Sequence, residues 1–281
     1  MTLPGSAVVT QGLVPTVSSV HNIDMNLAIL HERDIIAVDK TEQAVAWLVE
    51  NGPLVTAPPI PVWIMRRLTD DRRILRLRRG TYLVPTEEGR LPSLGRAMNL
   101  LDADGYISGH AALAAQGLND QDIPTWWALA TRRQADITYG HFAGHFVYSP
   151  GSATSGERHT VPLEGEAVVM ATPTQALVDE ARLIPFGFDW VETGRVLRNA
   201  VDVRRTDEAE VKRVLAQQPS LAAARRLGLL FELVRGRPDP DLLRIARRTT
   251  TVSVVSGGRF VDREWRIKLP LRRDDIRRAM Q

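Results

Sequence analysis

The stretch PVWIMRRLTDDRRILRLRRGTYLVP, residues 61–85, decides how the first part of the chain is read. Val62, Met65 and Leu68 recur at helical spacing while Arg66 and Arg67 fall off that face, and Pro61 suits a first-turn position. The period then changes. Ile74, Leu75 and Leu77 interleave with arginines, the chain turns at Gly80, and Tyr82, Leu83 and Val84 follow before Pro85, which is the pattern of a two-stranded hairpin. Upstream, TEQAVAWLVENG (41–52) places Ala44, Trp47 and Leu48 on one helical face behind Thr41 as an N-cap, with Gly52 closing it. Between the two helices, PLVTAPPIP (53–61) has too many prolines for a continuous helix. Helix, short connection, helix and basic hairpin is the order of a winged helix-turn-helix, expected over residues 21–90. Residues 1–20 carry no periodicity and read as a flexible arm.

The same stretch holds the densest charge. Between Arg66 and Arg79 lie Arg66, Arg67, Arg72, Arg73, Arg76, Arg78 and Arg79, against Asp70 and Asp71 alone. Arginines that neutralise phosphates release counterions, so this segment is expected to give salt-sensitive, largely sequence-independent affinity for duplex DNA. Base readout needs other groups near the start of the second helix, for which Thr56, Trp63 and Arg66 are the candidates. The competing reading is a solvated basic face on a small α/β unit.

From residue 91 the pattern becomes mixed. SLGRAMNLLDADG (93–105) reads as a helix, YISGHAALAAQGL (106–118) as a strand entering an alanine-rich helix, and TWWALATRR (125–133) and GHFVYSP (144–150) as strands. GSATSGERHT (151–160) reads as a polar loop, and VVMATPTQALVDEARLI (168–184) as a strand then a helix with Pro173 near its start. Residues 188–236 read as helical, and TTVSVV (250–255) and RFVDREWRIKLP (259–270) return to strand-like alternation. In RRLGLLFELVRG (225–236), Leu227, Leu230, Phe231 and Val234 form the apolar face, with Arg225 and Arg226 on the polar side. The whole is an α+β chain, with a second domain expected over 91–281.

Chemistry-bearing constellations are sparse. His141 and His145 are four apart, but Gly144 lies between them and HFAGHFVYSP reads as turn and strand, so no helical metal pair is expected. His110 reads as a helix-start residue. Asp102 with Asp104, and Asp179 with Glu180, are the compact carboxylate pairs; Glu210-Val211-Lys212 has the letters of a nuclease motif in a helical setting. Trp126 and Trp127 enter a strand, where one of them is expected to point outward. No phosphate-binding glycine loop, serine elbow or dinucleotide fingerprint occurs.

The 281 residues suffice for one large or two ordinary domains. A formal charge of +3, from 36 Lys+Arg against 33 Asp+Glu, means that a nucleic-acid surface must come from local segregation of charge. With no cysteine there is no disulfide framework, thiolate metal site or cysteine nucleophile, and a reducing compartment fits. The opening segment lacks a basic n-region and a long apolar h-region, and no stretch is long enough to cross a bilayer, so a cytoplasmic protein is expected.

Three stretches in order, ILRLRRGTYLVP (74–85), YISGHAALAAQGL (106–118) and RRLGLLFELVRG (225–236), resemble the AbiEi family of antitoxins from type IV toxin–antitoxin and phage-defence systems. The resemblance implies an N-terminal winged helix that binds operator DNA and represses its own operon. It implies also a larger domain that counteracts a nucleotidyltransferase-like toxin, without enzymatic activity or cofactor. DNA contacts would fall on Arg66 and Arg67 of the recognition helix and on Arg76, Arg78, Arg79 and Thr81 around the wing. The sequence departs from the family before Pro61, where LVTAPPIP stands in place of a second helix and NLAILHERDII (26–36) is the candidate to replace it.

The expectation is therefore a DNA-binding repressor and antitoxin, monomeric in solution, whose partners are its own promoter and a cognate toxin. The alternative is a metal-dependent nucleic-acid-processing enzyme whose site is assembled from distant carboxylates such as Asp102 and Asp179. A third reading makes the second domain a pure interaction module.

Overall fold

A computed structural model of the chain describes residues 40–86, 88–183, 188–248 and 258–281. The expected N-terminal arm, the NLAILHERDII segment and the TTVSVV strand lie outside them. The described chain is mixed α+β.

The first unit runs from a helix at 40–50 (α1) through β1 (Leu54–Thr56) and α2 (Val62–Asp70) to β2 (Leu75–Arg78) and β3 (Thr81–Leu83). Thr41, expected as the N-cap, lies inside α1 and is buried. The hairpin turns at Gly80, whose φ of +73° suits a residue without a Cβ. The proline-rich connection contributes a strand: β1 pairs antiparallel with β3, giving a three-stranded sheet in the order β1-β3-β2. Ala44, Leu48, Val55, Ile64, Met65, Leu68, Ile74 and Val84 form its small core. The buried face of α2 is Ile64, Met65 and Leu68, and Val62, expected on it, is 84% exposed. Pro61 is the N-cap and not the first helical residue; at 100° per residue, a stripe centred on 64, 65 and 68 leaves Val62 and Trp63 off it.

A six-stranded mixed sheet in the order β6-β7-β5-β4-β9-β8 organises the second unit. Its strands are β4 (Tyr106–Ser108), β5 (Thr125–Ala130), β6 (Ile137–Tyr139), β7 (Phe142–Tyr148), β8 (Arg158–Leu163) and β9 (Glu166–Ala171). The β5–β7 and β4–β9 pairs are parallel, the others antiparallel. Helices α3 (Leu94–Leu101), α4 (Gly109–Ala115) and α6 (Pro173–Arg182) pack on the sheet. Strand alternation sends Ile107 towards Gly95 of α3, while Tyr106 and Ser108 reach Asp179 of α6. Segment 151–160, expected as a loop, contains most of a short helix, α5 (Pro150–Ser155), and the start of β8. Pro150 is at the start of that helix and Ala153 is buried, whereas β8 is an edge strand whose polar outer face imitates a loop in sequence.

The remaining helices are α7 (Trp190–Asp202), α8 (Glu208–Gln217), α9 (Leu221–Arg235), α10 (Pro240–Ala246) and α11 (Arg273–Ala279), with a small hairpin of β10 (Phe260–Asp262) and β11 (Ile267–Leu269). Asp189, Asp207, Ser220 and Asp239 cap the first four through side-chain oxygens. Arg225 and Arg226 are not on a polar face, as expected, but buried. Helix α9 is enclosed by α6, α7, α8, α10 and α11, so its whole circumference is interior, and the two guanidinium groups donate to the carbonyls of Ala246 and Ala181. Leu77 and Leu83 of the first hairpin belong to the large core, so the two units share packing across β2 and β3.

Gly228 in the middle of α9 lies against the buried ring of Trp265, and a Cβ there would overlap the ring. Helix propensity favours alanine over glycine by about 1 kcal/mol, but overpacking a core costs about 1–3 kcal/mol or more, and backbone meeting an indole has little room to yield. Gly228→Ala is expected to lower the unfolding free energy by about 1–2 kcal/mol in a urea titration, against the gain that propensity alone would give.

Candidate nucleic-acid interface

Helix α2 exists because Ile64, Met65 and Leu68 bury in the small core with Ala44 and Leu48 of α1 and Val55 of β1, and that burial fixes what faces outward. Trp63, Arg66, Arg67 and Asp70 follow one another at helical i, i+3, i+4 and i+7 spacing on the opposite side. All four are exposed, Trp63 to 50% and the Arg66 side chain to 83%. Arg66 and Arg67 are held loosely by Asp70 and Asp71, each at 3.8 Å and each in solvent. Exposed pairs of this kind are weak and screened by salt.

The other five arginines divide by role. Arg72, in the turn after α2 with a φ of +57°, is exposed, as are Arg76 on β2 and Arg79 at the hairpin turn. Arg73 is instead engaged across the unit: its two terminal nitrogens donate to the two carboxylate oxygens of Glu42 in α1, at 2.6 and 3.0 Å. That hydrogen bond holds the Glu42 carboxyl below its usual range and raises the Arg73 guanidinium. Arg78 turns towards the second unit, donating to the Ala135 carbonyl at 2.9 Å and to Gln134 Oε1 at 3.1 Å. Thr81 is 2% exposed and its hydroxyl lies at 3.4 Å from Arg78 Nε. Thr81 and Arg78, both expected as wing contacts, thus belong to the joint between the units. Thr56 is exposed on β1, where Thr81 is its pairing partner.

The carboxylates singled out in the second unit serve as internal acceptors. Asp102 receives the Thr131 amide and hydroxyl, both at 2.8 Å, and the Arg132 amide; Asp104 is exposed. Asp179 is fully buried and receives Tyr106 Oη, Ser108 Oγ, Gln175 Nε2 and Arg182 Nη2. Burial pushes its carboxyl above the usual range, against the pull of Arg182 and of the hydrogen bonds from Ser108, Gln175 and Tyr106. Beside it, buried Glu180 faces His110 Nε2 at 2.9 Å and receives the Thr193 hydroxyl. Glu210, in α8, accepts from Thr174, and Lys212 is paired with Asp239 and Asp241.

His141 and His145 do not converge. His141 tilts against Phe142, whereas His145 bonds Asp136 at 2.8 Å and stacks on Trp127. Both tryptophans are half-buried: Trp126 packs beside Gly95 of α3 and donates to the Ile123 carbonyl. Among the described residues no group of three or more histidines and carboxylates is arranged to hold a metal. No helix among them is long and apolar enough to cross a membrane.

The pairing of His110 with Glu180 was not anticipated from sequence. The available signal was the run of polar residues, Gln175, Asp179 and Glu180, on a helix otherwise made to be buried; what it lacked was any indication of which strand would lie beneath.

No known family profile and no curated protein sequence matches the chain. Among solved structures, it is similar to the crystal structure of the RV2827C protein from Mycobacterium tuberculosis. The TM-score is 0.55, over 82% of this chain and 90% of that one, at 15% identity. At that identity the likeness is one of fold.

Two measurements follow from the buried network. Removing one partner of a buried charged pair leaves the other unpaired, so Asp179→Ala is expected to destabilise the protein by about 3 kcal/mol in a denaturant titration. At His110, burial disfavours the imidazolium, but the hydrogen bond and charge of Glu180, with Glu192 and Asp189 further off, outweigh it and raise the group above its ordinary value of 6.5. A raised histidine contributes stability that is complete below that ordinary value and lost as pH rises through the folded-state value. Unfolding free energy should therefore decline from about pH 6.5 upwards through that value, and His110→Gln should remove this part of the slope.

Proposed function

We propose that the protein binds duplex DNA through α2 and the β2–β3 hairpin, as a winged-helix repressor of its own promoter. The observation that carries the reading is that five of the seven clustered arginines, Arg66, Arg67, Arg72, Arg76 and Arg79, are exposed on a helix–strand–helix–hairpin unit. In this reading the N-terminal part of α2 lies in the major groove, with Trp63 and Arg66 nearest the base edges, and the arginines of the hairpin contact backbone phosphates. Arg73 is engaged by Glu42 of α1 and Arg78 by the Ala135 carbonyl and Gln134, whereas Arg66 and Arg67 meet only exposed carboxylates at 3.8 Å.

The resemblance to AbiEi antitoxins extends the proposal to the second unit, which would bind and counteract a nucleotidyltransferase-like toxin. The protein itself would act as a cytoplasmic, non-catalytic monomer without cofactor. The metal-enzyme alternative has less support, since Asp102 and Asp179 both spend their oxygens on internal donors.

A gel-shift titration against the upstream DNA and a scrambled duplex, at two salt concentrations, tests the reading. Preference for the upstream fragment that survives added salt is the expected result, and no binding to either duplex removes it. Substituting Arg66, Arg67, Arg76 and Arg79 by glutamine should reduce the slope of log affinity against log salt by about one for each phosphate no longer neutralised. Asp70→Asn with Asp71→Asn frees Arg66 and Arg67 and is expected to tighten binding at low salt; unchanged affinity would place those arginines off the DNA.

A further inference from the structure

We propose that the cavity between β8, the start of α6 and the turn after α7 binds a small phosphomonoester, its phosphoryl group held by the forks of Arg204 and Arg205 and by the His159 imidazole. The site is separate from the proposed DNA interface: β8 is the edge of the six-stranded sheet opposite β6, the strand beside which β2 lies.

Segments distant in sequence build it. Helix α7 ends at Asp202, and Arg204, at φ +56°, reverses the chain so that the amides of Arg204 and Arg205 return to the Val201 and Ala200 carbonyls. Both arginines are exposed and line, with His159 of β8, Gln116 and Thr172, a cavity of about 320 Å³. The first turn of α6 lines it too, which brings the positive end of that helix's dipole to the same place.

Two carboxylates share the cavity, and both are engaged. Glu157 takes both terminal nitrogens of Arg213, and Glu210 accepts the Thr174 hydroxyl at 2.7 Å. Among the described residues no ion pair holds Arg204 or Arg205. Burial, and after it the charge of Arg205, holds the His159 imidazole below its ordinary value. Around it stand Glu157 and Arg158 on its own strand, Arg204 and Arg205 on the turn, and Glu210 and Arg213 on α8. An anion between the turn and His159 would relieve the repulsion between them.

Gln116 narrows the kind of anion. Its Nε2 donates to the Ala112 and Ala171 carbonyls at 2.7 and 3.0 Å, which fixes the amide, and its Oε1 is buried without a donor. Such an oxygen repels a fully deprotonated anion and accepts from a hydroxyl. A phosphomonoester, whose second pKa is about 6, carries a hydroxyl over part of the neutral range, and sulfate does not. Arginines beyond a helix C-terminus also favour the helix dipole. Were that their whole role, removing them would lower the thermal midpoint and leave anion binding alone.

The test is calorimetric titration of the full-length protein, at constant ionic strength, with inorganic phosphate, sulfate, adenosine monophosphate and adenosine, the thermal midpoint of each variant being recorded. Phosphate and the monophosphate are expected to bind at one site, sulfate about tenfold more weakly, and adenosine not at all. Arg204→Gln/Arg205→Gln should weaken phosphate by about tenfold or more at the wild-type midpoint, whereas Arg66→Gln/Arg67→Gln should leave it unchanged. Should the first pair unfold the protein, Arg204→Lys/Arg205→Lys keeps the charge but loses the forks, and should weaken phosphate by roughly three- to tenfold. A bound anion favours the imidazolium, so binding should tighten as pH falls from about 8 to about 6, and His159→Gln should lose that part of the dependence. Unchanged phosphate affinity in the Arg204 and Arg205 variants, or equal affinity for phosphate and sulfate, overturns the proposal. So does a loss confined to duplex affinity, which would assign the surface to nucleic acid. Absence of phosphate binding by the wild type overturns it too and leaves the α2–hairpin reading untouched.

Discussion

Helix α6 has to be buried along nearly its whole circumference, and the rest of the second unit is arranged around that constraint. Nine of its ten residues, Pro173 to Ala181, are interior, and four of them, Thr174, Gln175, Asp179 and Glu180, are polar or ionisable. Taking such groups from water costs several kcal/mol each unless protein supplies their partners. Strand β4 supplies Tyr106 and Ser108 to Asp179, the first turn of α4 supplies His110 to Glu180, and α7 supplies Thr193. The sequence YISGH is thus a row of donors placed by strand alternation and one helical start under a single helix. Gly109, at φ +65°, makes the change of direction between Ser108 and His110 that lets both side chains reach adjacent carboxylates. Asp179 and Glu180 occupy consecutive positions, about 100° apart around α6, so no single strand or helix could satisfy both.

The joint between the two units follows a different logic. Leu77 and Leu83 reach from the first hairpin into the large core, which fixes β2 beside β6, and Arg78 adds directional hydrogen bonds to an attachment that apolar packing alone leaves free to slide. Within one strand the alternation thereby assigns opposite fates to neighbours: Leu77 goes to the core, while Arg76 and Arg78 stay out of it, one in solvent and one on the loop that holds Gln134 and Ala135. The register shift between Arg76 and Arg78 opposite β3 lets those two arginines diverge despite their two-residue spacing.

Where local periodicity and capping decided an element, the sequence was legible. The hairpin at Gly80, the strand–helix passage at Ser108 and the capped helix at Thr172–Pro173 needed only alternation and turn chemistry. The errors came where tertiary context overrode the local pattern. Val62 fits the apolar spacing of α2 yet lies outside, because the helix enters the small core along Ile64, Met65 and Leu68. Arg225 and Arg226 look like the polar side of an amphipathic helix, but α9 has no solvent side; their charge is handled by carbonyls that belong to other elements and are invisible in a linear reading. Strand β1 was missed because prolines 58, 59 and 61 obscure a three-residue segment that pairs only through β3.

The candidate site was legible in composition and illegible in geometry. Charge density pointed to residues 66–79, but density cannot tell an arginine that meets a partner from one that holds the scaffold. The distinction is made by what lies within reach: a bidentate carboxylate for Arg73, a carbonyl and an amide oxygen for Arg78, the Arg78 carbonyl at 3.4 Å for Arg76, and solvent or weak helical neighbours for the rest. In the proposed reading, engaging Arg73 and Arg78 within the protein does not weaken the phosphate-binding surface. It orders the backbone from which the remaining five project, and for a site built on a short hairpin that order decides whether each exposed charge is offered at a fixed position or averaged over many.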